Sequence, residues 1–203
     1  MSEQDRAKWN ARYQEGAYES RVHASAIVER WAPQVLAAVS KSDDDRRPRA
    51  LDIACGAGRN ALALARMGFA VDAVDISDAG LERASATAAA RGLSVGWRRA
   101  DLDDGLPADL AGYDLIIMIR YLDRALLPRL HERLRPEGLL VCESHMAADQ
   151  PVVGPTSREF RLDAGELVRL VPGITILEHT EGVFDDPDGR QVALARLVGR
   201  RVS

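Results

Sequence analysis

A chain of 203 residues is long enough for one sizeable domain and too short for two comfortable ones. Apolar residues (46%) provide for a buried core, and 31 acids against 27 bases leave a net charge of −4, which argues against nucleic acid or an anionic membrane as partner. Cys55 and Cys142 lie far apart and form no Cys-x-x-Cys unit, so neither a metal site nor redox chemistry is indicated, and each thiol reads as a small buried hydrophobe.

The opening residues, MSEQDR, lack the apolar centre of a signal peptide, and no run approaches the roughly 18 apolar residues of a membrane span. A cytoplasmic setting is therefore expected, where thiols stay reduced. Residues 3–20 are polar with Trp9, Tyr13 and Tyr18 interspersed, and on a helix Trp9 and Tyr13 would share a face. Ile27, Val28, Trp31, Val35, Leu36 and Val39 recur at helical spacing, which predicts a helix within 23–39. A polar connector, 40–48, ends at Pro48.

Strand and helix signals then alternate. Strands are predicted at 50–54, 69–75, 93–99, 113–119 and 139–143. Between them lie a helix over 59–67 ended by Gly68, a helix capped by Ser77 or Asp78 and ended by Gly92, and a helix over 123–134 stopped by Pro136 and Gly138. Such alternation implies a doubly wound, mostly parallel sheet with helices on both faces. After Ser144 comes a loop of about twenty residues, a length that in a compact domain is usually functional. A short helix over 165–171 follows, then strand-like runs at 174–180 and 191–198, joined through DDPDG (185–189) as an antiparallel pair. The chain thus divides into a helical cap and connector (1–48), a ligand-binding core (49–145), and a loop, helix and hairpin facing the substrate (146–203). The arginine clusters Arg46, Arg47, Arg49 and Arg196, Arg200, Arg201 read as solvated surface.

The core opens with LDIACGAGRN (51–60). Gly56 and Gly58 allow a tight turn at the end of the first strand, and the helix starting near Arg59 presents free amides and a partial positive charge to a ligand. Asp75 ends the second strand 19 positions after Gly56 (75 − 56), where a carboxylate can accept both hydroxyls of a ribose. Gly56-x-Gly58-x-x-Ala61 also satisfies a dinucleotide fingerprint. Asp52 separates the two classes, because a carboxylate four residues before Gly56 is unfavourable beside a pyrophosphate and suits a ligand with a cationic amino group. Asp101 after the third strand is placed to accept from an adenine amino group while Leu102 packs on the ring.

These motifs resemble those of class I S-adenosylmethionine (SAM)-dependent methyltransferases over about residues 49–145: LDIACGAGRN is similar to their first motif, Val74-Asp75 to their ribose acid and Ala100-Asp101-Leu102 to their adenine motif. GAGRN (56–60), RMGF (66–69), DIS (75–77), WNARY (9–13), FRL (160–162) and GEL (165–167) resemble the branch that includes tellurite-resistance methyltransferases. The resemblance implies a seven-stranded sheet with an antiparallel last strand, SAM as cofactor and S-adenosylhomocysteine as product. The implied cofactor contacts are Asp52, Ala54, Cys55, Gly56, Gly58, Arg59, Asn60, Asp75, Ile76, Ser77, Asp101, Leu102 and Arg120. It does not imply a substrate, and the acceptor atom (sulfur, nitrogen, oxygen or a chalcogen oxyanion) stays open. The tellurite enzymes of that branch rely on histidine and arginine in the C-terminal part, where this chain offers His145, Arg158 and Arg161.

Methyl transfer from a sulfonium needs in-line positioning above all. Arg120 follows a buried strand and His145 follows the next, so both are catalytic candidates, with Arg120 expected to favour an anionic small-molecule acceptor. Trp9, Tyr13, Tyr121, Arg124 and Arg158 are candidates for substrate contact; no metal is expected. A non-catalytic SAM-binding regulator and a nicotinamide-dependent oxidoreductase are the competing readings.

Overall fold

A computed structural model describes residues 3–40, 46–186 and 189–202. Part of the expected connector (41–45) and of the turn between the last two strands (187–188) therefore lies outside the described residues. Seven strands form one sheet: β1 (Arg49–Ile53), β2 (Ala70–Asp75), β3 (Gly96–Arg99), β4 (Tyr113–Ile119), β5 (Leu134–His145), β6 (Ile174–Asp185) and β7 (Gln191–Arg201). Their order is β3-β2-β1-β4-β5-β7-β6. β1 to β5 pair in parallel, and β7 runs antiparallel to both β5 and β6. The expected doubly wound sheet with an antiparallel last strand is observed.

Alternation along each strand divides the core between two faces. Leu51, Ile53, Ile116, Met118, Leu140, Cys142 and Leu197 point to one side, and Ala50, Leu115, Ile117, Leu139, Val141 and Val198 to the other. All seven residues of β4 are buried, which explains why this strand is a continuous apolar run rather than an alternating one. Helices α2 (Ala26–Val39) and α3 (Arg59–Met67) cover the second face through Ile27, Val28, Val35, Ala61 and Leu64. Helix α3 ends at Gly68, whose left-handed φ of 113° suits only glycine, as the sequence indicates. Helix α1 (Glu3–Gln14) buries no residue fully and packs against α4 (Asp78–Ala90) at the end of the sheet.

The first face is covered differently from the expectation. In place of a helix over 123–134 there is a 3₁₀ segment, Leu127–Arg133, and β5 starts at Leu134, before Pro136 and Gly138. Pro128 accounts for this: it lacks an amide proton and starts a helix rather than continuing one. The rest of this face is closed by a 3₁₀ turn at Leu102–Asp104 and the four-residue α5 (Glu166–Arg169), which buries Leu167.

The arginines read as solvated are partly structural. Arg46 donates two parallel hydrogen bonds to the Asp114 carboxylate, each at 2.6 Å, and the Arg49 amide donates to the same carboxylate at 2.8 Å. The Arg49 guanidinium lies over Tyr113 at 4.5 Å and pairs with Asp72 at 3.0 Å. These contacts tie the amino ends of β1, β2 and β4 together, away from the carboxyl ends where ligands bind in open parallel sheets.

Candidate functional site

Strand order reverses between β1 and β4, so the chain leaves their carboxyl ends toward opposite faces of the sheet, the place where open parallel sheets form a ligand crevice. The residues just beyond the two strands, Ala54 (φ 55°) and Arg120 (φ 61°), both adopt left-handed backbone, which non-glycine residues rarely do outside constrained sites.

On the β1 side, Gly56 (φ 56°) and Gly58 (φ 78°) turn the chain into α3. A Cβ on Gly58 would lie 2.7 Å from the Trp97 ring and 2.8 Å from Ala84, so the turn is packed down against α4 and β3. The Gly56 amide donates to Asp75 Oδ2 and the Ser77 amide to Asp75 Oδ1, each at 2.8 Å. Asp52, 2% exposed, accepts from the Ala61 amide at 3.0 Å and so anchors the first turn of α3 from below. Burial pushes the Asp52 carboxyl up to about 7, against the lowering effect of that amide and of Arg59. Burial also raises Asp75, and raises the Cys55 thiol, which lies near both acids.

Arg59 and Asn60 face a different neighbour. Arg59 donates to the His23 carbonyl and the Ser25 hydroxyl at 3.0 and 2.8 Å, and the Asn60 side chain accepts from the Ser25 amide at 2.9 Å. They hold the segment before α2 onto the glycine turn. Helix α1 closes the same region from above: Asn10 Oδ1 accepts from the Ser77 hydroxyl at 2.8 Å and the Ala79 amide at 3.1 Å. The Tyr13 side chain rests on Gly56 and Gly80, where a Cβ would meet its hydroxyl at 2.1 Å and its ring at 3.1 Å respectively. Burial and then the Asp75 charge raise the Tyr13 hydroxyl above its ordinary value. Trp9 packs on Tyr13 with ring centroids 6.2 Å apart, so the shared face expected for the pair is present and directed at the turn.

A cavity of about 240 Å³ opens beside Ile76, lined by Glu3, Arg6, Arg99, Ala100 and Asp101. It sits where an adenine was expected. Asp101 lines it while accepting from the Asp103 amide at 3.0 Å, whereas Leu102 is buried in the core and does not line it.

On the β4 side a charged cluster crosses the sheet edge. Arg120 Nε donates to Glu143 Oε1 at 2.7 Å, and Arg196 Nε to Glu143 Oε2 at 2.8 Å. Asp186, just past β6, accepts from Arg21 at 2.6 Å and lies 3.5 Å from Arg120 Nη2. Burial raises the Glu143 carboxyl, but the charges and hydrogen bonds of Arg120 and Arg196 outweigh it and hold the group below its ordinary value. His145, next along β5, is pushed down to about 4 by burial and then by Arg120 and Arg161, so it is neutral at pH 7. Its Nδ1 is buried without a hydrogen-bond partner among the described residues, and Gly154 of the long loop packs on the ring.

The other expected substrate contacts lie elsewhere. Arg124 pairs with Glu166 at 2.6 Å and donates to the Arg161 carbonyl at 2.9 Å, clasping the long loop. Arg158 is 76% exposed on its side chain and pairs with Asp163 at 2.7 Å. Tyr121 packs against the core beside Asp123, and burial raises its hydroxyl. Arg196, read as surface, lies in this charged cluster with Arg21, Glu143 and Asp186, and Asn10 lies over the glycine turn. Glu143 carried a signal in the sequence: an acid inside the apolar run LLVCES requires a buried cationic partner. Among the described residues no cluster of three or more potential metal ligands occurs, and no helix is long and apolar enough to cross a membrane.

Residues 50–138 match the family model described as "Methyltransferase domain". A ubiquinone biosynthesis O-methyltransferase of Caulobacter sp. (strain K31) is 32% identical over 117 residues, covering 53% of this chain and 46% of the relative. An uncharacterized protein of Mycobacterium tuberculosis (strain H37Rv) is 35% identical over 120 residues, 59% of this chain and 42% of that one. The chain thus spans less than half the length of these relatives. Among solved structures, TehB from Haemophilus influenzae superposes with a TM-score of 0.65 at 22% identity, covering 83% of this chain and 62% of that chain. Magnesium protoporphyrin IX methyltransferase from Synechocystis PCC 6803, solved with bound SAM, gives 0.60 at 18% identity over 86% and 77% of the two chains. At these identities the structural likeness speaks for the fold.

Proposed function

We propose that this chain, whose residues 50–138 form a methyltransferase domain of the class I fold, binds S-adenosylmethionine at the glycine turn and methylates a small-molecule acceptor beside Arg120 and His145. One observation carries the cofactor assignment: the Gly56 amide, which a dinucleotide site would turn toward a pyrophosphate, is bound to the Asp75 carboxylate at 2.8 Å. Asp75 at the end of β2 suits a ribose diol in either class of nucleotide, whereas the buried Asp52 beneath the same turn disfavours a pyrophosphate and favours a ligand with a cationic amine. The matched family and the named methyltransferase relatives support the same reading over a non-catalytic binder.

SAM, when bound, supplies an electrophilic methyl on a sulfonium whose leaving group departs neutral. The residues of this chain then have to position and to exclude water. Asp75 retains lone pairs for ribose hydroxyls after accepting from its two amides. Ile76 and Asp101 flank the adenine cavity, while Tyr13 and Asn10 close the site from α1. Holding acceptor and methyl in line is worth up to about 7–11 kcal/mol. His145, neutral at pH 7 and within the field of Arg120, helps to shape the acceptor end without adding charge to it. The core (49–145) thus serves the cofactor and 146–203 the acceptor, in a cytoplasmic protein without a nucleic-acid partner.

Thermal denaturation with SAM, S-adenosylhomocysteine and NADH tests this reading, because a ligand bound only by the native state raises Tm by mass action. Stabilisation by the adenosyl compounds and not by NADH is expected; the converse would overturn it. A second expectation concerns pH. With Asp52 at about 7 in the free protein, an ammonium bound beside it favours the ionised carboxylate and expels a proton. S-adenosylhomocysteine affinity should therefore rise by about tenfold from pH 6 to pH 8. Isothermal titration should show that rise in the wild type and a flat profile in Asp52→Asn; equal profiles would remove Asp52 from the cofactor site.

A further inference from the structure

Arg21, Arg120 and Asp186 come from three separate parts of the chain: the segment after α1, the end of β4, and the tip of the β6–β7 hairpin. They meet only at the acceptor end of the crevice. Asp186 is 6% exposed, and the side chains of Arg21 and Arg120 are 21% and 17% exposed, so the carboxylate is enclosed between two guanidinium groups. Its two contacts are unequal. The Arg21 contact, at 2.6 Å, is a tight charge-assisted bond, whereas the 3.5 Å to Arg120 exceeds the 2.7–2.9 Å such bonds prefer.

Arg120 does not need Asp186 for neutralisation, because its Nε is bonded to Glu143 at 2.7 Å. Its Nη2 is the atom that lies 3.5 Å from Asp186 Oδ1, and its backbone is held in a strained conformation (φ 61°) at the end of β4. A carboxylate held tightly on one side and loosely on the other, on a hairpin tip, is suited to exchange for another anion. Arg120 and Arg196 share the single carboxylate of Glu143, so departure of Asp186 leaves this pair one positive charge in excess, which another anion would balance.

We propose that Asp186 stands in for an anionic group of the methyl acceptor: Arg21 and Arg120 form an anion clamp, and a small carboxylate or oxyanion binds by displacing the internal carboxylate into solvent. This rests on the methyltransferase reading for its purpose but not for its test. An acceptor must exchange for Asp186, so its apparent affinity is lowered by the fraction of molecules in which the clamp is closed. Neutral compounds gain nothing from the exchange, which makes the clamp a selector as well as a brake.

Benzoate and inorganic phosphate serve as probes on the full chain, each titrated by thermal shift with and without saturating S-adenosylhomocysteine, with benzamide as the neutral control. One or both anions should stabilise the wild type where benzamide does not; benzoate alone identifies a carboxylate clamp and phosphate alone an oxyanion clamp. Asp186→Ala should bind the same anion at least about tenfold more tightly, and Arg21→Gln should lose it. In the wild type the bound anion should also speed hydrogen exchange at the Gly189 amide, which donates to the Asp186 carbonyl at 2.7 Å; this readout needs no variant to fold. A wild type silent to both anions would show that the carboxylate is a fixed strut and overturn the proposal, as would unchanged affinity in Asp186→Ala or unchanged Gly189 exchange. Failure of S-adenosylhomocysteine to stabilise the protein would count against the cofactor alone and leave the clamp standing.

Discussion

Asp75→Ala is expected to weaken S-adenosylhomocysteine binding by at least about tenfold, and to loosen the glycine turn even without ligand. The first part follows from losing charge-assisted bonds to a ribose, each worth about 1.5–3 kcal/mol. The second follows from the structure. Asp75 accepts from the Gly56 and Ser77 amides at 2.8 Å each and is 8% exposed, so its removal strands two backbone donors in a site nearly closed to water. Each stranded donor costs about 1–3 kcal/mol, which predicts a destabilisation of roughly 2–4 kcal/mol once water partly enters. Asp75→Asn separates the two roles. The amide keeps one acceptor oxygen and the shape, so stability should fall less than in the alanine variant while the affinity loss remains large. Calorimetric titration and urea denaturation of both variants give the two quantities independently. Wild-type affinity in either variant would remove Asp75 from the cofactor site.

The contrast between the two ends of the crevice explains what could be read from residue order alone. The glycine turn, Asp75 and the cap at Ser77 lie within one β-turn-α-β unit, so their spacing fixes their geometry and the motif was legible. Strand β4 was legible because burial on both sides demands an unbroken apolar run. The segment 123–134 has helical apolar spacing, yet Pro128 removes a donor in its middle and the chain takes 3₁₀ geometry. The charged cluster beyond β4 was legible only in part. Arg120 and His145 follow strands and were named, but their partners are distant: Glu143 is 23 positions from Arg120, Asp186 is 66 positions from it, and Arg21 is 165 from Asp186. No local pattern joins such residues. Arg196 illustrates the loss, since in a basic C-terminal run it looks solvated, whereas its register opposite Glu143 on β5 places it in the cluster.

That cluster also sets the largest expected effect on stability. Glu143, 3% exposed, is shared by Arg120 and Arg196 at 2.7 and 2.8 Å. Removing one partner of a buried ion pair costs about 3–5 kcal/mol, because the remaining charge is left uncompensated. Glu143→Ala leaves two such charges. Their side chains are 17% and 25% exposed, so water relieves part of the strain, and a loss of about 3 kcal/mol at pH 7 is expected. The pH dependence has a definite sign. Glu143 is held below its ordinary value by the two arginines despite burial, so its contribution is complete above the unfolded carboxylate value and disappears as pH falls through the lower folded value. The gap between wild type and Glu143→Ala should therefore be widest near neutrality and narrow in acid below about pH 4. Replacing all three charges at once, as Glu143→Leu with Arg120→Leu and Arg196→Met, should recover much of the loss, since a buried ion cluster exchanged for apolar residues of similar volume is often neutral or stabilising. Recovery of stability in the triple variant, with the anion response abolished, would show that evolution keeps these charges at the acceptor end for binding rather than for folding. A triple variant less stable than Glu143→Ala would instead make the cluster a structural clamp on β4, β5 and β7.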